Sequence, residues 1–428
     1  FKHILNILIM VFFNLTKCII LSLFIKYNFY NEKIVKILLK NVHSCGVIPI
    51  KIIQWGLPIL KLINIDKKIL NIFENTYEKC PIHKLDYTKK LYKIDFYNDI
   101  DDDYKIIELV GSGSIAQVYK IQDVRTNEFY AMKVIHPDAI KNFNKIKFYL
   151  KIIFSIFKFS NIIPTDLNNF LKQFRQQLDL VNEANNILKF SGLYKNDNLF
   201  IIPELYKFSK NIIIMDYIEG NSIETININM QHYRYNMIIS IFMYNNLFIN
   251  KFNHGDLHNY NWKITKDNKI IIYDFGLCWE SNNDLTDPLD QLLLGFHNDD
   301  KDLIYGSFLL YFKNVKETDI EEYFYSITEK VDKFYIFAKH ILLCSFKHNV
   351  LLDINILYTI ITYQNSMLIY MNNFKESVFD FNGVYKEQYS ICDYYDILPV
   401  YKKYLLKQIG KFKTRHVINY SELYKFIK

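Results

Sequence analysis

A glycine-rich loop is the feature that most restricts the fold of this 428-residue chain. The stretch GSGSIAQVYK, Gly111 to Lys120, contains the pattern G-x-G-x-x-A. Such loops let backbone N–H groups approach phosphate oxygens, because glycine has no Cβ atom. A dinucleotide-binding fold needs the loop to open a helix. Here QVYKI alternates in polarity, and the turn-like RTNE leads into FYAMKVIH, which predicts two antiparallel strands. The sequence therefore favours a phosphate loop within a small antiparallel sheet over a Rossmann fold.

A lysine follows on the second of these strands. Lys133 stands in Ala-Met-Lys-Val, where a side chain directed toward the loop would neutralise phosphate oxygens. An isolated strand lysine is usually an ordinary exposed charge. Its spacing from the glycine loop is what makes Lys133 a candidate nucleotide-binding residue.

Two further motifs follow in order. Residues 254–261 read HGDLHNYN and place Asp256 five positions before Asn261, the D-x-x-x-x-N spacing of kinase catalytic loops. Asp-Phe-Gly begins at Asp274, after a predicted hairpin with its turn at residues 266–268. The first aspartate would accept or orient the proton of an attacking hydroxyl, and Asn261 and Asp274 would offer Mg²⁺ the oxygen ligands it prefers. This order of motifs predicts a kinase-type Mg-ATP site.

His254 and His258 flank Asp256 and offer a second interpretation, a metal site. No third soft ligand lies close in the sequence, so a turn-stabilising His254, hydrogen-bonded to nearby backbone, explains the pattern more simply. The six cysteines are scattered without a C-x-x-C pair, which indicates reduced packing residues.

Composition and hydropathy outline the rest of the chain. The net charge of +7 is mild and dispersed, so nucleic acid is not an expected partner. Residues 4–25 are mostly apolar, but Lys17 interrupts them, and a membrane-spanning helix and a buried or interfacial helix both remain open. Helical patterns cover residues 30–95, 141–195 and those beyond Asp287, and the acidic run DIDDDY is expected to be a solvated linker. Thr165 is the expected N-cap of a helix that runs through residues 170–190.

Several segments together resemble the UbiB family of aarF-domain atypical kinases. QQLDLVNEANNILKF is similar to that family's E-x-D-x-x-x-E-A-x-N segment, HGDLHNYN to its H-A-D-x-H-P-G-N, and IIIMDYIEG to its M-E-x-x-x-G hinge. Upstream, the residues from Lys51 to Gln54 match a degenerate form of its K-x-G-Q element. The resemblance covers residues from about 45 to 280.

The resemblance implies an α+β, protein kinase-like two-lobe fold. It would comprise a small antiparallel N-lobe sheet with a helical insertion, a mostly helical C-lobe and an N-terminal helical extension. The expected segments are 1–30, a candidate membrane anchor helix; 31–100, the extension with the K-x-x-Q element; 101–220, the N-lobe with its helical insert; and 221–428, the C-lobe.

The resemblance also implies roles for individual residues. Asp256 would be the catalytic aspartate, Lys133 would pair with Glu183, and Asn261 and Asp274 would hold Mg²⁺. Lys51, Gln54 and Asp179 would be regulatory, with Lys51 and Asp179 meeting over the active site. The expected nucleotide-binding residues are Gly111, Ser112, Gly113, Ser114, Val118, Ala131, Lys133, Met215 and Tyr217.

Three departures from the family pattern bear on these roles. Ile53 replaces a glycine in the K-x-G-Q element, and Gln177 replaces the first glutamate of E-x-D. Gly111 and Gly113 stand where many members have alanine, and this predicts readier ATP binding than in alanine-loop relatives.

The function implied is that of an atypical Mg-ATP-dependent kinase or ATPase acting in coenzyme Q or lipid metabolism. The expected partners are a nucleotide and either membrane lipid or quinone-pathway proteins, in a membrane-associated, mitochondrion-like setting. Two alternatives remain: a small-molecule phosphotransferase of the aminoglycoside or choline kinase type, and a nucleotide-binding scaffold without turnover. Lys51, Gln54 and the QLDLVNEAN insert distinguish the leading interpretation from the first alternative.

Overall fold

The computed structural model describes residues 17, 20, 32–45, 50–51, 82–137, 139–156, 163–197, 199–225, 235, 238–239, 242–243, 245–312, 315–331 and 334–359. The candidate anchor at residues 4–25, apart from Lys17 and Ile20, lies outside these ranges, and so do Ile53 and Gln54. None of the helices within the described ranges has the length and apolar character needed to cross a bilayer.

Contacts divide the chain into two compact units. The first comprises Phe1–Ile226, His254–Trp279 and Ser345–Leu368, and the second comprises Asn227–Asn253, Glu280–Cys344 and Ile369–Lys428. The units interleave along the chain, so neither coincides with one of the four consecutive segments predicted from the sequence. The segment that carries HGDLHNYN and Asp-Phe-Gly belongs to the same unit as the glycine-rich loop.

The first unit contains a five-stranded antiparallel sheet. Its strands in chain order are β1 (Tyr104–Ser112), β2 (Ala116–Asp123), β3 (Phe129–Ile135), β5 (Leu205–Phe208) and β6 (Ile212–Asp216), arranged β1-β2-β3-β6-β5. A second sheet of three strands has the order β4-β9-β8, from β4 (Phe200–Ile201), β8 (Trp262–Ile264) and β9 (Ile270–Ile272). The predicted strands around the glycine loop and the predicted hairpin are thus confirmed, and Asn268 takes the left-handed conformation (φ 61°) in the hairpin turn.

Alternation along the central strands separates the two faces of the large sheet. One face forms the core with the extension helix α2 (Leu85–Phe96) and the short helix α3 (Ile100–Asp103). The buried residues of this core, from the strands and from the two helices, are Tyr92, Ile100, Tyr119, Ile121, Tyr130, Met132, Val134, Ile212 and Ile214. The other face carries Val118, Ala131 and Lys133, which line a cavity.

Further helices belong to the first unit. Helix α1 spans Glu32–Cys45, and the insertion between β3 and β4 contains α4 (Ala139–Ile156), α5 (Leu167–Gln176) and α6 (Leu180–Leu193). Helical spacing along one face of α6 buries Leu180, Glu183, Ala184, Ile187 and Phe190. That periodicity places the Glu183 carboxylate on the buried side of its helix.

Three local predictions were wrong. The acidic run DIDDDY is not a solvated linker, because Ile100–Asp103 forms a helical turn and Asp103 accepts a hydrogen bond from the Tyr92 hydroxyl. The helix cap after Pro164 is Asp166, whose carboxylate accepts from the Asn169 N–H at 3.0 Å; Thr165 instead donates to the carbonyl of Leu352 at 3.1 Å. The helix predicted through residues 170–190 is also two helices, α5 and α6, separated at residues 177–179.

The second unit is mainly helical over its described residues, as predicted beyond Asp287. It contains a π-helical turn at Asn245–Ile249, α7 (Asn283–Asn298), α8 (Lys301–Leu309), a 3₁₀ turn at Leu310–Phe312 and α9 (Glu317–Tyr325). Helix α10 (Phe334–His348) and two short strands, β7 (Phe252–His254) and β10 (Cys278–Glu280), lie where the chain passes between units. Phe308 centres the aromatic core of the second unit, with ring centroids of Phe324 and Phe337 at 5.3 and 5.7 Å.

Candidate active site

Lys133 bridges two carboxylates within the first unit. Its Nζ donates to Glu183 Oε1 and to Asp274 Oδ1, both at 2.7 Å. The three groups come from β3, from α6 and from the Asp-Phe-Gly segment after β9. The predicted contact between Lys133 and Glu183 is therefore present, although 50 residues separate them in the chain.

The charges of this cluster depend on one another. Burial by itself would lower the pKa of Lys133, but Asp274 and Glu183 outweigh it and raise that pKa above its usual value. Burial raises the pKa of Glu183, and Lys133 offsets part of this cost. Desolvation in the cleft opposes ionisation of Asp274, but Lys133 and Lys51 hold its pKa well below the ordinary range. At neutral pH the cluster presents a charged ammonium and a charged Asp274 carboxylate.

Asp256 forms a buried ion pair with Lys51. The Lys51 Nζ donates to Asp256 Oδ2, and the two side chains are only 6% and 9% exposed. Although burial alone would raise the pKa of Asp256, Lys51 holds it below the ordinary value. The carboxylate that the motif assigns to the acceptor hydroxyl is thus ionised and already engaged by an internal cation.

Backbone contacts fix the loop around Asp256. The Asn261 Nδ2 donates to the Asp256 carbonyl at 2.7 Å, which leaves the amide oxygen of Asn261 as its acceptor end. His254 accepts from the Asp256 N–H at Nδ1 (3.2 Å) and donates from Nε2 to the Tyr273 carbonyl at 3.0 Å. His254 therefore ties the loop around Asp256 to the Asp-Phe-Gly segment through backbone hydrogen bonds.

The Asp-Phe-Gly segment is held in a specific conformation. Asp274 has φ 55°, which costs a non-glycine residue energy and is found where surrounding contacts compensate. Phe275 is 1% exposed, with the rings of Phe190 and His254 at 5.0 and 5.4 Å, and its carbonyl accepts from Asn186 Nδ2 at 2.8 Å. Packing on α6 therefore directs the Asp274 carboxylate toward Lys133.

A cavity of about 710 Å³ is lined by Lys133, Glu183 and Asp274 and also by the glycine-rich loop. Its lining includes Lys51, Asn261 and Asp274 together with the hinge after β6. All nine residues predicted to bind nucleotide line it: Gly111, Ser112, Gly113, Ser114, Val118, Ala131, Lys133, Met215 and Tyr217. The volume falls within the range of small-molecule sites.

Lys51 and Asp179, two of the three residues predicted to be regulatory, lie differently from expectation. Lys51 pairs with Asp256, as described above, whereas the Asp179 side chain accepts from the Val181 N–H at 3.1 Å and caps helix α6. The predicted meeting of Lys51 with Asp179 is thus replaced by two separate contacts. Gln54 is outside the described residues, and the regulatory role of all three remains a prediction.

Several residues of the cavity were not predicted to line it, Tyr273 and Gln177 among them. Tyr273 directly precedes Asp-Phe-Gly, and its hydroxyl donates to the Ile218 carbonyl of the hinge at 3.0 Å. Gln177 is 4% exposed, and among the described residues no partner hydrogen-bonds its Nε2 atom. The position of Tyr273 next to Asp-Phe-Gly could have predicted that it lines the cavity. The sequence identified Gln177 only as the replacement of a family glutamate.

Comparison with known proteins supports the same assignment. Residues 75–307 match the family model of the ABC1 atypical kinase-like domain. Similar proteins include a chloroplastic aarF domain-containing protein kinase of Arabidopsis thaliana (24% identity over 45% of this chain and 28% of that protein). Others are the probable serine/threonine-protein kinase abkB of Dictyostelium discoideum (27%; 49% and 34%) and the probable protein kinase UbiB of Photorhabdus laumondii (24%; 46% and 39%).

The matched region spans between about a quarter and two-fifths of these relatives' own length. Among solved structures, Rv3197 of Mycobacterium tuberculosis, in complex with erythromycin, aligns over 73% of this chain and 90% of its own with 16% identity and a TM-score of 0.48. The family model covers more than half of the sequence, and its range contains the glycine loop, Lys133, Glu183, the HGDLHNYN loop and Asp-Phe-Gly. The chain therefore belongs to the ABC1 family of atypical kinase-like proteins, the aarF/UbiB group.

Proposed function

We propose that this protein is a Mg-ATP-dependent atypical kinase or ATPase that acts in quinone or lipid metabolism at a membrane. The observation that carries the proposal is the cluster in which Lys133 bridges Glu183 and Asp274 on the wall of a cavity that the glycine-rich loop also lines. Kinase-type phosphoryl transfer depends on positioning and electrostatic stabilisation by these kinds of groups.

The residues present fit a magnesium nucleotide. The Asp274 carboxylate and the Asn261 amide oxygen are hard oxygen donors, the class that Mg²⁺ selects. Mg²⁺ would neutralise the charge of the phosphate oxygens. Val118, Ala131, Met215 and Tyr217 supply an apolar wall suited to a nucleobase.

The chain's own groups divide the remaining work. Lys133, held by two carboxylates, supplies a fixed positive charge for the phosphates. Asp256 Oδ2 would orient the hydroxyl of the acceptor, or of water in hydrolysis, and take up its proton as that oxygen bonds to the γ-phosphorus of ATP and the bond from the γ-phosphorus to ADP breaks. Because Lys51 occupies this oxygen, Lys51 must withdraw before an acceptor can reach it.

The segment that follows Asp-Phe-Gly bears on the class of acceptor. Strand β10 ends at Glu280 and α7 begins at Asn283, so little room exists between them for the long activation segment that presents peptides to conventional kinases. This favours a small-molecule or lipid-linked acceptor, or hydrolysis alone. The resemblance to the UbiB family, whose name one relative carries, is the basis for proposing a role in quinone metabolism.

A scaffold that binds nucleotide without turnover is the second candidate. The buried pair of Lys51 and Asp256 favours it, because a carboxylate that keeps its internal cation cannot serve an acceptor. In this function the nucleotide would stabilise one conformation of the protein rather than react.

Hydrolysis of Mg-ATP by the full chain, with and without anionic liposomes, separates the two functions. The kinase or ATPase proposal expects turnover that rises with liposomes and falls at least about a hundredfold in Asp256→Asn and in Asp274→Asn. Tight nucleotide binding with no turnover under either condition supports the scaffold instead. Turnover that survives both substitutions contradicts the assigned site.

A further inference from the structure

A group of polar side chains lies under the glycine-rich loop, on the sheet face opposite the cavity. Gln117 and Tyr119 alternate with the cavity-lining Val118 along β2, so they point to the core side of the sheet. They meet Thr88 of α2 and His83, which lies two residues before that helix. Gln117 and Thr88 are fully buried, so their polar groups require partners.

His136 holds the loop at two points. Its Nε2 lies 3.0 Å from the Gly113 carbonyl oxygen, and its backbone N–H donates to the Ile115 carbonyl at 2.9 Å. The Ser112 Oγ is 3.5 Å from the same Nε2. His136, which directly follows β3, therefore fixes two carbonyl groups of the loop.

His83 supports His136 from the other side. The two Nδ1 atoms are 2.9 Å apart, and His83 Nε2 is 2.9 Å from Thr88 Oγ1. The Gln117 side chain fixes the backbone of His83 with two hydrogen bonds, accepting from its N–H at 2.9 Å and donating to its carbonyl at 3.2 Å. The segment before α2 is thus fastened to β2.

The acceptors in this group determine where the protons are. A carbonyl only accepts, so His136 Nε2 carries a hydrogen, and a neutral His136 ring then has a lone pair at Nδ1. His83 Nδ1 must therefore donate to it, which leaves the His83 Nε2 lone pair to accept from the Thr88 hydroxyl. One set of neutral tautomers satisfies every contact from Thr88 to Gly113.

The surroundings favour the neutral set over a charged one. The pKa of His83 is lowered to about 4, mainly by burial and to a smaller extent by the neighbouring His136. Burial also lowers the pKa of His136, although the Gly113 carbonyl opposes this. Tyr87, whose ring centroid is 4.9 Å from that of His83, and the Thr88, Ser112 and Gln117 side chains are the other described groups at the two rings, and all are uncharged at neutral pH.

We propose that His83 and His136 form a neutral, directed hydrogen-bond relay from Thr88 to the Gly113 carbonyl, and that this relay positions the glycine-rich loop for nucleotide phosphates. His136 is a positioning residue, since it contacts the loop from the face away from the cavity. The proposal rests on the proposed nucleotide site for its functional consequence. It also links the segment before the kinase-like sheet to the loop that the nucleotide would meet.

The relay is tested without nucleotide by the tautomers of the two rings. Nitrogen-15 NMR of the full chain, labelled at histidine and measured at pH 7, is expected to show His136 protonated at Nε2 only and His83 at Nδ1 only. A doubly protonated His136, or the same tautomer on both rings, overturns the relay. Signals are assigned by the loss of one resonance pair in His83→Gln and in His136→Gln.

Substitution of His136 by glutamine and by asparagine, whose side-chain amides differ in length, tests the positioning role of His136. His136→Gln keeps an N–H at the place of Nε2, whereas His136→Asn is one methylene shorter and loses the Gly113 carbonyl. His136→Asn is expected to speed amide hydrogen exchange at residues 111–116 and to raise the dissociation constant for Mg-ATP about five- to tenfold, and His136→Gln is expected to stay within about twofold of the original protein.

The outcomes separate this proposal from the proposed function. If the original protein does not bind Mg-ATP, the nucleotide function fails, while the tautomers and loop exchange still test the relay. If it binds and both variants match it in affinity and in loop exchange, the relay is overturned and the nucleotide function stands. Faster exchange throughout the sheet in both variants shows a general loss of stability and also counts against a positioning role.

Discussion

Lys51 and Asp256 are 205 positions apart and form a nearly inaccessible ion pair. Taking two charges out of water costs several kcal/mol, and the pair recovers this only while both partners remain. Removing one partner leaves the other charge buried, or forces it to neutralise by a change of pKa. The pair therefore sets the ionisation state of the residue that the proposed chemistry requires as a base.

Substitution of Lys51 by methionine tests this dependence. Lys51 holds the pKa of Asp256 down, so Lys51→Met raises that pKa, and activity that needs the Asp256 carboxylate is lost at a higher pH. We expect the acid limb of the kcat/KM profile for ATP hydrolysis to move up by about one pH unit or more. At pH values above the acid limbs of both proteins, turnover of Lys51→Met should exceed that of the original protein, because the Asp256 carboxylate is free for an acceptor.

Lys51→Arg is the matched control, since it keeps a cation at the same place. It should leave the acid limb near its original pH. An unshifted limb in Lys51→Met would mean that Asp256 does not limit the reaction.

The two glycines of the glycine-rich loop, Gly111 and Gly113, have space around them for a larger residue. Among the described residues, a Cβ atom at Gly111 would meet nothing within 4 Å, and one at Gly113 only the Ala116 carbonyl oxygen at 3.6 Å. These surroundings leave room for alanine at both positions, so the double substitution Gly111→Ala with Gly113→Ala should leave the thermal midpoint nearly unchanged. It should weaken Mg-ATP binding several-fold in calorimetric titration, because each Cβ keeps the backbone N–H groups further from phosphate oxygens. Unchanged affinity would show that these glycines do not favour the nucleotide.

Sequence order was sufficient for part of this site and insufficient for the rest. The motif spacing identified Lys133, Asp256, Asn261 and Asp274, because their chemistry is linked to short local patterns. The pairing of Lys51 with Asp256 and the contacts of His136 with Gly113 join side chains that are close only in three dimensions. Hydropathy contains no information about such distances. The replacement of a family glutamate by Gln177 likewise does not predict which side chains pair nearby.

At the scale of elements, the loop that carries Asp256 packs directly on the strand segment after Asp-Phe-Gly. The Gly255 N–H donates to the Leu277 carbonyl at 2.8 Å. A Cβ atom at Gly255 would lie 2.9 Å from Leu277 Cγ and 3.1 Å from Trp279 Cδ1. Both neighbours are buried, so they have little room to move. The absent side chain of Gly255 is what allows the two segments to approach.

Gly255→Ala is therefore expected to destabilise the protein by about 1–3 kcal/mol through overpacking. Gly192→Ala is the matched control: Gly192 lies in α6, and a Cβ atom there would meet nothing within 4 Å in the part of the chain that the structure describes. Alanine at this position should stabilise the protein by roughly 0.5–1 kcal/mol. Urea unfolding of the full chain, monitored by circular dichroism, measures both changes. Equal effects of the two substitutions would contradict the close approach.

The strands and the hairpin were predictable because a period of two residues and a turn signal are local properties. β2 and β3 appear where alternation predicted them. The break between α5 and α6 was missed, because Leu178 and Leu180 continue the apolar pattern through the interruption at residues 177–179. The cap was misplaced by one residue, since Thr165 and Asp166 are both good N-cap residues and only tertiary contacts choose between them.

At the scale of the whole molecule, buried neutral histidines make stability depend on pH. The pKa of His83 and that of His258 are each lowered to about 4, chiefly by burial, against an unfolded value near 6.5. Above pH 6.5 neither state binds these protons, and the stabilisation is fully present. Between pH 6.5 and 4 the unfolded chain binds more protons than the folded protein, so stability falls as pH falls.

Thermal unfolding of the full chain between pH 4 and pH 8 should therefore show a midpoint that declines below about pH 6.5. His83→Gln removes one of the two titrations and should make the decline shallower. A midpoint that is constant from pH 8 to pH 5 would contradict neutral burial of these rings.

Two parts of the molecule are candidates for membrane attachment, the apolar segment near the start of the sequence and the surface lysines. Residues 4–25 are predominantly apolar, with Lys17 as the interrupting charge, and a lysine at the bilayer centre costs about 2.5–3.5 kcal/mol, which the surrounding Ile, Leu and Phe residues are able to offset. If this segment is the main attachment, deletion of residues 1–30 abolishes flotation of the protein with neutral and with anionic vesicles. Attachment through surface lysines predicts a different pattern, because each contributes only about 1 kcal/mol, requires anionic lipid and weakens as salt is raised. Flotation of the deleted protein that persists on anionic vesicles and disappears at 1 M salt, where the Debye length is about 3 Å, would assign attachment to the charged surface and reject residues 4–25 as the anchor.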